Sequence, residues 1–474
     1  MADTAQTRTP IPILIALATA TLTASLGISI ASVLLPTLTR SFSATASDVQ
    51  WVVLAYLMSV TIAIVSAGRL GDILGHRRVL IAGLAVFVTA SVLCAIAPDL
   101  VWLVTGRALQ GLGGAILIAL PMSIARDLVP AERLGTAMGL LGTTSAVGTA
   151  LGPSLGGVLL AWGDWRMAFW LLTGVASATL LLSVASLPRN SAPRNALWRE
   201  LDFPGTFVLV IALASYALAT SGGTAGIPLP PNVLISGALI AIALFVIVEN
   251  RVTSPLVPMA LLRDRKTGIG FVMNLAVGTI MMSTLVVGPF FLAFALGLNE
   301  ALIGLAMAVG PVVSALSGIP AGRLTDRLGA NRVIVIGLVQ TMLGLLCLAF
   351  LPRYFGVSGY VVALITLTPA FQLFLAANNT AVLADASKEQ RGRLSGLLGL
   401  SRNLGLMTGA SAMSTLFVVI LGTGDAAQAS VADIARAFSM TFTAAAGLAL
   451  VTLGLAIFSH AGRIREASGP TEEA

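Results

Sequence analysis

Charge is what this chain has least of. Asp, Glu, Lys and Arg make up 10% of its 474 residues, against about 25% in a soluble domain, too little to clothe a water-exposed surface. Lysine is nearly absent, with Lys266 and Lys388 standing against 25 arginines. Neither follows a glycine, so no phosphate-binding loop exists and ATP-driven pumping by this chain is excluded. The two cysteines, Cys94 and Cys347, lie in apolar runs, where they act as small hydrophobes rather than a disulfide framework. Two histidines, His76 and His460, sit at run ends and give no metal-ligand spacing. No metal or other cofactor is expected. None of the 20 acids lies at the centre of an apolar run; Asp48, Asp127, Asp202 and Glu249 stand at helix ends.

What fills the sequence instead is hydrophobic residues, 57% of the total, with a mean hydropathy of +0.96. Apolar runs long enough to cross a ~30 Å hydrocarbon core as helices recur from end to end. Fourteen helices are predicted: 13–35, 48–67, 79–97, 100–120, 134–161, 166–187, 204–221, 231–250, 268–294, 301–321, 332–351, 360–383, 394–421 and 437–460. The first reads as an uncleaved span, because no small-residue cleavage site follows it. The net charge of +7 does not point to nucleic acid, since no soluble domain carries a basic face. Placing both termini in the cytoplasm puts 21 cations in inner segments, from Arg8 to Arg465, and four outside, Arg40, Arg166, Arg353 and Arg436. That is the asymmetry of the positive-inside rule. Arg107 and Arg402 fall within spans.

Two motifs are duplicated. Gly68-Arg-Leu-Gly-Asp72-Ile-Leu-Gly75-His-Arg77-Arg78 matches Gly322-Arg-Leu-Thr-Asp326-Arg-Leu-Gly329-Ala-Asn-Arg332, 254 residues later. Gly139-Leu-Leu-Gly142, followed by Gly148 and Gly152, matches Gly396-Leu-Leu-Gly399, followed by Gly405 and Gly409, 257 residues later. Nearly equal offsets imply two homologous six-helix halves. The expected division is residues 1–190, an inserted pair of helices with its linker at 191–266, a second half at 267–462 and a cytoplasmic tail at 463–474.

At these residues the chain resembles the major facilitator superfamily, and specifically its fourteen-helix drug:proton antiporter branch. The loop after helix 2 is similar to the superfamily signature. Arg107-Ala-Leu-Gln110-Gly111 resembles its helix-4 arginine motif, and Gly148-Thr-Ala-Leu-Gly152-Pro153-Ser-Leu-Gly156-Gly157 its helix-5 antiporter motif. Trp51 to Tyr56, Asp202-Phe-Pro-Gly and Glu249-Asn-Arg also resemble the branch. The resemblance implies an all-α polytopic membrane protein with the major facilitator fold. It implies a secondary exporter of small amphipathic compounds in a bacterial inner membrane, with protons and the bilayer as partners. An enzyme is not expected, and nothing calls for a second subunit. Gly152-Pro-Ser-Leu-Gly156 matches a hydrolase nucleophile elbow only by coincidence, since that motif needs a strand-turn-helix.

Asp72 with Arg69, Arg77 and Arg78 is expected to form a charge cluster that biases the rocking of the halves, or else only to hold topology. The spacing Gly148, Gly152, Gly156 makes a small-residue stripe for close helix approach, which the resemblance makes a seal against leak. A charge inside a span marks function by default, so Arg107, with Gln110 on its face, is the leading cavity residue, and Arg402 joins it. Trp51, Tyr56, Asn274 and Asn378 complete the cavity set; Gln340, Gln372 and Asn379 are equally inter-helix glue. One departure matters: where the branch places an acid nine residues before Pro36, this chain has Gly27. A cavity with a guanidinium and no acid favours neutral or anionic amphiphiles over dications. A facilitator of an organic anion without strong proton coupling is the alternative reading.

Overall fold

The structure, a computed structural model, describes residues 11–129, 131–188, 203–220, 231–252, 259–384, 388–423, 426 and 428–467. Among the described residues there is no strand, and twelve helices are long and apolar enough to cross a membrane. This is an all-helical, multi-pass architecture. The sequence-predicted features at Arg8, Arg189, Arg194, Arg199 and Asp202 lie outside the described residues. The rest gathers into two compact units, one within Met1–Leu256 plus Leu298–Pro311, the other within Val257–Gly297 plus Val312–Ala474.

The first unit contains α1 (Ile11–Phe42), α2 (Ala46–Val49), α3 (Trp51–Leu74), α4 (His76–Ala95), α5 (Leu100–Leu128), α6 (Ala131–Trp162), α7 (Arg166–Ser186), α8 (Phe203–Thr220) and α9 (Pro231–Glu249). Helix starts are fixed by side-chain caps. Thr45 and Asp48 form a reciprocal capping box at α2, and Asp99 accepts from the Trp102 amide at α5. A single residue, Gly75, separates α3 from α4. Its φ of 93° is open only to glycine at low cost. The spans expected at 48–67 and 79–97 therefore extend to meet at that glycine.

The glycine stripe of α6 packs on α1. A Cβ at Gly148 would stand 2.6 Å from the Leu22 carbonyl oxygen, and one at Gly156 2.5 Å from Val33 Cγ1. Gly152 abuts Ser29 in the same way. Lipid tails supply no hydrophobic drive between helices, so such backbone proximity carries the association. Gly148→Leu should lower the melting temperature of the detergent-solubilised protein, overpacking costing about 1–3 kcal/mol. Gly142→Leu, where a Cβ meets nothing within 4 Å, should leave it unchanged.

The second unit holds α10 (Met259–Arg263), α11 (Arg265–Phe290), most of α12 (Glu300–Leu328), α13 (Ala330–Leu383), α14 (Lys388–Thr408), α15 (Ser414–Leu421) and α16 (Val431–Ala467). Gly405 and Gly409 of α14 and its π-helical continuation abut the Leu275 and Thr279 carbonyls of α11, repeating the α6–α1 packing. The 54-residue α13 is a hairpin. At Gly356 φ is 55° and ψ −131°, and beyond it the chain runs back on itself. A Cβ at Gly344 would stand 2.7 Å from Leu367 Cα, and one at Gly337 3.0 Å from the Phe374 nitrogen. The segment 352–359, expected as a connection between spans, is helical except at that glycine. The helix α16 continues through Ala467.

Candidate functional site

Arg107 lies on α5, wholly buried. Its Nε donates to the Val52 carbonyl of α3 at 2.8 Å, and its Nη1 donates to Gln110 Oε1. Gln110 in turn donates to Ser91 Oγ on α4 at 2.7 Å. The Tyr56 ring lies 4.3 Å beneath the guanidinium, close enough for a cation–π interaction, and its hydroxyl donates to the Ala24 carbonyl of α1 at 3.0 Å. Four helices thus meet around one charge. Glycine permits the crowding: a Cβ at Gly111 would stand 2.5 Å from the Tyr56 carbonyl oxygen, and one at Gly113 2.8 Å from that of Gly83. Arg107 Nη2 is buried without a hydrogen-bond partner, and among the described residues no carboxylate pairs with this guanidinium.

Gly27 faces the same cluster. A Cβ there would stand 3.4 Å from the Tyr56 hydroxyl and 3.0 Å from Phe87 Cζ. The place where the branch carries an acid is thus one aromatic ring from Arg107, with Phe87 beside it. Trp51 is half-buried, its Nε1 unpartnered, next to Gln50, whose buried amide has no partner at either end.

At Arg77 the loop motif departs from the expected cluster. Arg77 does not turn to Asp72; it donates to the carbonyls of Leu187 and Val184, both at 3.0 Å. Arg78 is exposed. His76 faces Asp72, with Nε2 3.2 Å from Asp72 Oδ1 and Nδ1 2.9 Å from Asp127 Oδ2. A cleft lined by His76, Arg77, Ile124, Asp127, Leu187 and Pro188 opens here. Gly68 borders open space. The second copy keeps the turn but not the bridge: Gly329 has φ 81°, Gly322 borders open space, and Asp326 and Arg332 are exposed. Among the described residues neither makes an ion pair.

In the second unit, Asn274 donates to the Leu398 carbonyl at 2.8 Å, Asn378 to that of Gly270 at 3.2 Å, and Ser401 to that of Phe271 at 2.6 Å. These bonds stitch α11 to α13 and α14. Both amide oxygens remain buried and unpartnered, as does Arg402 Nε. Gln340 ties the limbs of α13 through the Thr366 carbonyl, and Gln372 donates to Ser314. Of the antiporter motif, Gly148, Gly152 and Gly156 face α1, and Pro153 lies buried in α6. Gly157 alone turns to the start of α12: its Cβ would stand 2.6 Å from Gly304 Cα, in the same unit as the Arg40–Glu300 pair at 3.5 Å. The stripe therefore serves packing on α1. Asp48 is a cap, and Glu249 is buried at the end of α9.

The sequence reading missed Ser91, the bridging place of His76 and the approach of Gly304. His76 stands four residues after Asp72, a helical-neighbour spacing that was legible; nothing along the chain links either to Asp127.

The sequence profile of the Major Facilitator Superfamily matches residues 17–288 and 269–473. The chain is 30% identical over 392 residues to the uncharacterized transporter YebQ of Escherichia coli, covering 82% of this chain and 85% of that one. It is 26% identical over 435 residues to the riboflavin transporter RibZ of Clostridioides difficile, with 91% and 93% coverage. It is 27% identical over 403 residues to the multidrug resistance protein Stp of Mycobacterium tuberculosis, with 83% and 73% coverage. The fold is similar to the crystal structure of the nucleoside transporter NupG, with a TM-score of 0.68 at 13% identity over 94% of this chain and 99% of that one.

Proposed function

Because the chain belongs to the major facilitator superfamily, we propose that it is a secondary exporter of small amphipathic compounds, of the fourteen-helix drug:proton antiporter branch, working by alternating access. The observation that carries the reading is Arg107: a wholly buried guanidinium at the meeting of four helices, with no carboxylate partner among the described residues. Such a charge is expensive in a membrane unless the site uses it. It favours neutral or anionic amphiphiles over dications. The multidrug and riboflavin relatives support a substrate of that size. Fourteen crossings follow from counting the α13 hairpin as two and adding α8, an apolar helix shorter than the others. The halves are then residues 1–190 and 267–462, with 191–266 inserted. The cation asymmetry supports cytoplasmic termini in a bacterial inner membrane.

The test is substrate-driven proton movement in proteoliposomes loaded with a pH-sensitive dye. The probes are riboflavin as neutral, fluorescein as anionic and ethidium as cationic compound. Antiport predicts a proton signal with the neutral or anionic probe and little with the cation. The absence of an acid among the described mid-span residues favours one second reading, uncoupled transport of an organic anion. Flux of fluorescein without any proton signal would establish it in place of antiport.

A further inference from the structure

His76 Nδ1 lies 2.9 Å from Asp127 and Nε2 3.2 Å from Asp72, the second an ion-pair contact without hydrogen-bond alignment. A neutral imidazole has one N–H and one lone pair, so it would turn that lone pair on one of the two oxyanions. The imidazolium instead sets a positive charge within 3.2 Å of both carboxylates. Asp72 ends α3, His76 opens α4 and Asp127 lies in the last turn of α5, so the charged ring ties three helix ends together. Gly71 makes room for it, since a Cβ there would stand 2.6 Å from His76 Cδ2. The ring is 16% exposed and the carboxylates 44% and 58%, so solvent reaches the bridge from the adjoining cleft. The other charges on these elements are Arg69 on α3, Arg77 and Arg78 on α4, and Arg126 and, about five turns earlier, Arg107 on α5. Arg77 is engaged by the last carbonyls of α7, which brings no charged side chain to this end.

We propose that His76, Asp72 and Asp127 form a proton-binding site that clamps the ends of α3, α4 and α5 when occupied. The proton concentration on that side then sets how readily the three ends part. Asp72, and Asp127 with it, hold the His76 imidazolium to higher pH than a free imidazole. The clamp is therefore present at low pH and lost as pH rises. That the site samples the cytoplasm rests on the orientation proposed above; the clamp itself does not.

The experiment uses the full chain in lipid nanodiscs with ring-labelled histidine. Only two histidines exist, and His460→Gln assigns the signals. His76 should gain its proton as pH falls, with Asp72→Asn and Asp127→Asn each moving the midpoint to lower pH. Amide exchange in 68–78 and 122–128, corrected for the intrinsic pH dependence, should slow about fivefold with protonation, the upper reach of an exposed ion pair. His76→Arg should hold exchange slow at every pH, and His76→Gln fast at every pH. A His76 signal that keeps one protonation form from pH 5 to 8.5 would overturn the proposal. So would wild-type exchange with no more pH dependence than His76→Arg, a comparison that stands even if His76→Gln does not fold. Neither outcome depends on substrate or on sidedness, so each is separable from failure of the antiport reading.

Discussion

Arg107→Ala should abolish transport of neutral and anionic probes, with flux falling about 100-fold or more. The substitution leaves the Val52 carbonyl and Gln110 Oε1 without their donor, and removes the charge over Tyr56. Charge-assisted hydrogen bonds contribute about 1.5–3 kcal/mol each, and every 1.4 kcal/mol is tenfold. Arg107→Lys separates charge from geometry. A lysine keeps the charge but cannot offer the fork that reaches Val52 and Gln110 at once, so it should recover only a minor part of the flux. Equal flux in wild type and Arg107→Ala, in proteoliposomes with matched protein content, would remove Arg107 from the transport machinery. A melting curve for each variant separates lost function from lost fold.

Gly27→Asp should change which compounds are carried. The new Cβ would press on Phe87 at 3.0 Å, a contact that a small ring shift relieves, and the carboxylate would enter one ring away from Arg107. An acid in that setting attracts cationic amphiphiles and takes up protons. Ethidium flux should rise about tenfold, equivalent to roughly 1.4 kcal/mol, with a proton signal that the wild type lacks for this probe. Gly27→Asn controls for size and should show neither gain. If Gly27→Asp and Gly27→Asn behave alike, the identity of this position does not set charge preference.

Much of the fold was legible because lipid imposes its rules residue by residue. A span must be apolar and about 20 residues long, so helices such as α1, α4 and α7 stand out in the sequence. Their ends were less legible. Gly75 and Gly356 each make a turn alone, so the helices run on through polar residues that read in sequence as a loop. Of the site, Arg107 and Gln110 were readable, as a charge and its helical neighbour inside an apolar run. Ser91 was not, since it is a small hydroxyl on another helix whose role exists only once α4 and α5 have packed. In the loop motif His76 was not singled out, and Arg77 finds backbone carbonyls at the end of α7.

The turn at Gly356 has a mechanical corollary. A chain that reverses through one residue holds no slack, so tension applied to either limb of α13 passes to the other without any spacer to stretch. Pulled from the membrane by a single-molecule force probe, the two limbs should come out as one event with a contour length near that of the 54-residue hairpin. Lengthening the turn by several glycines should divide that event into two steps.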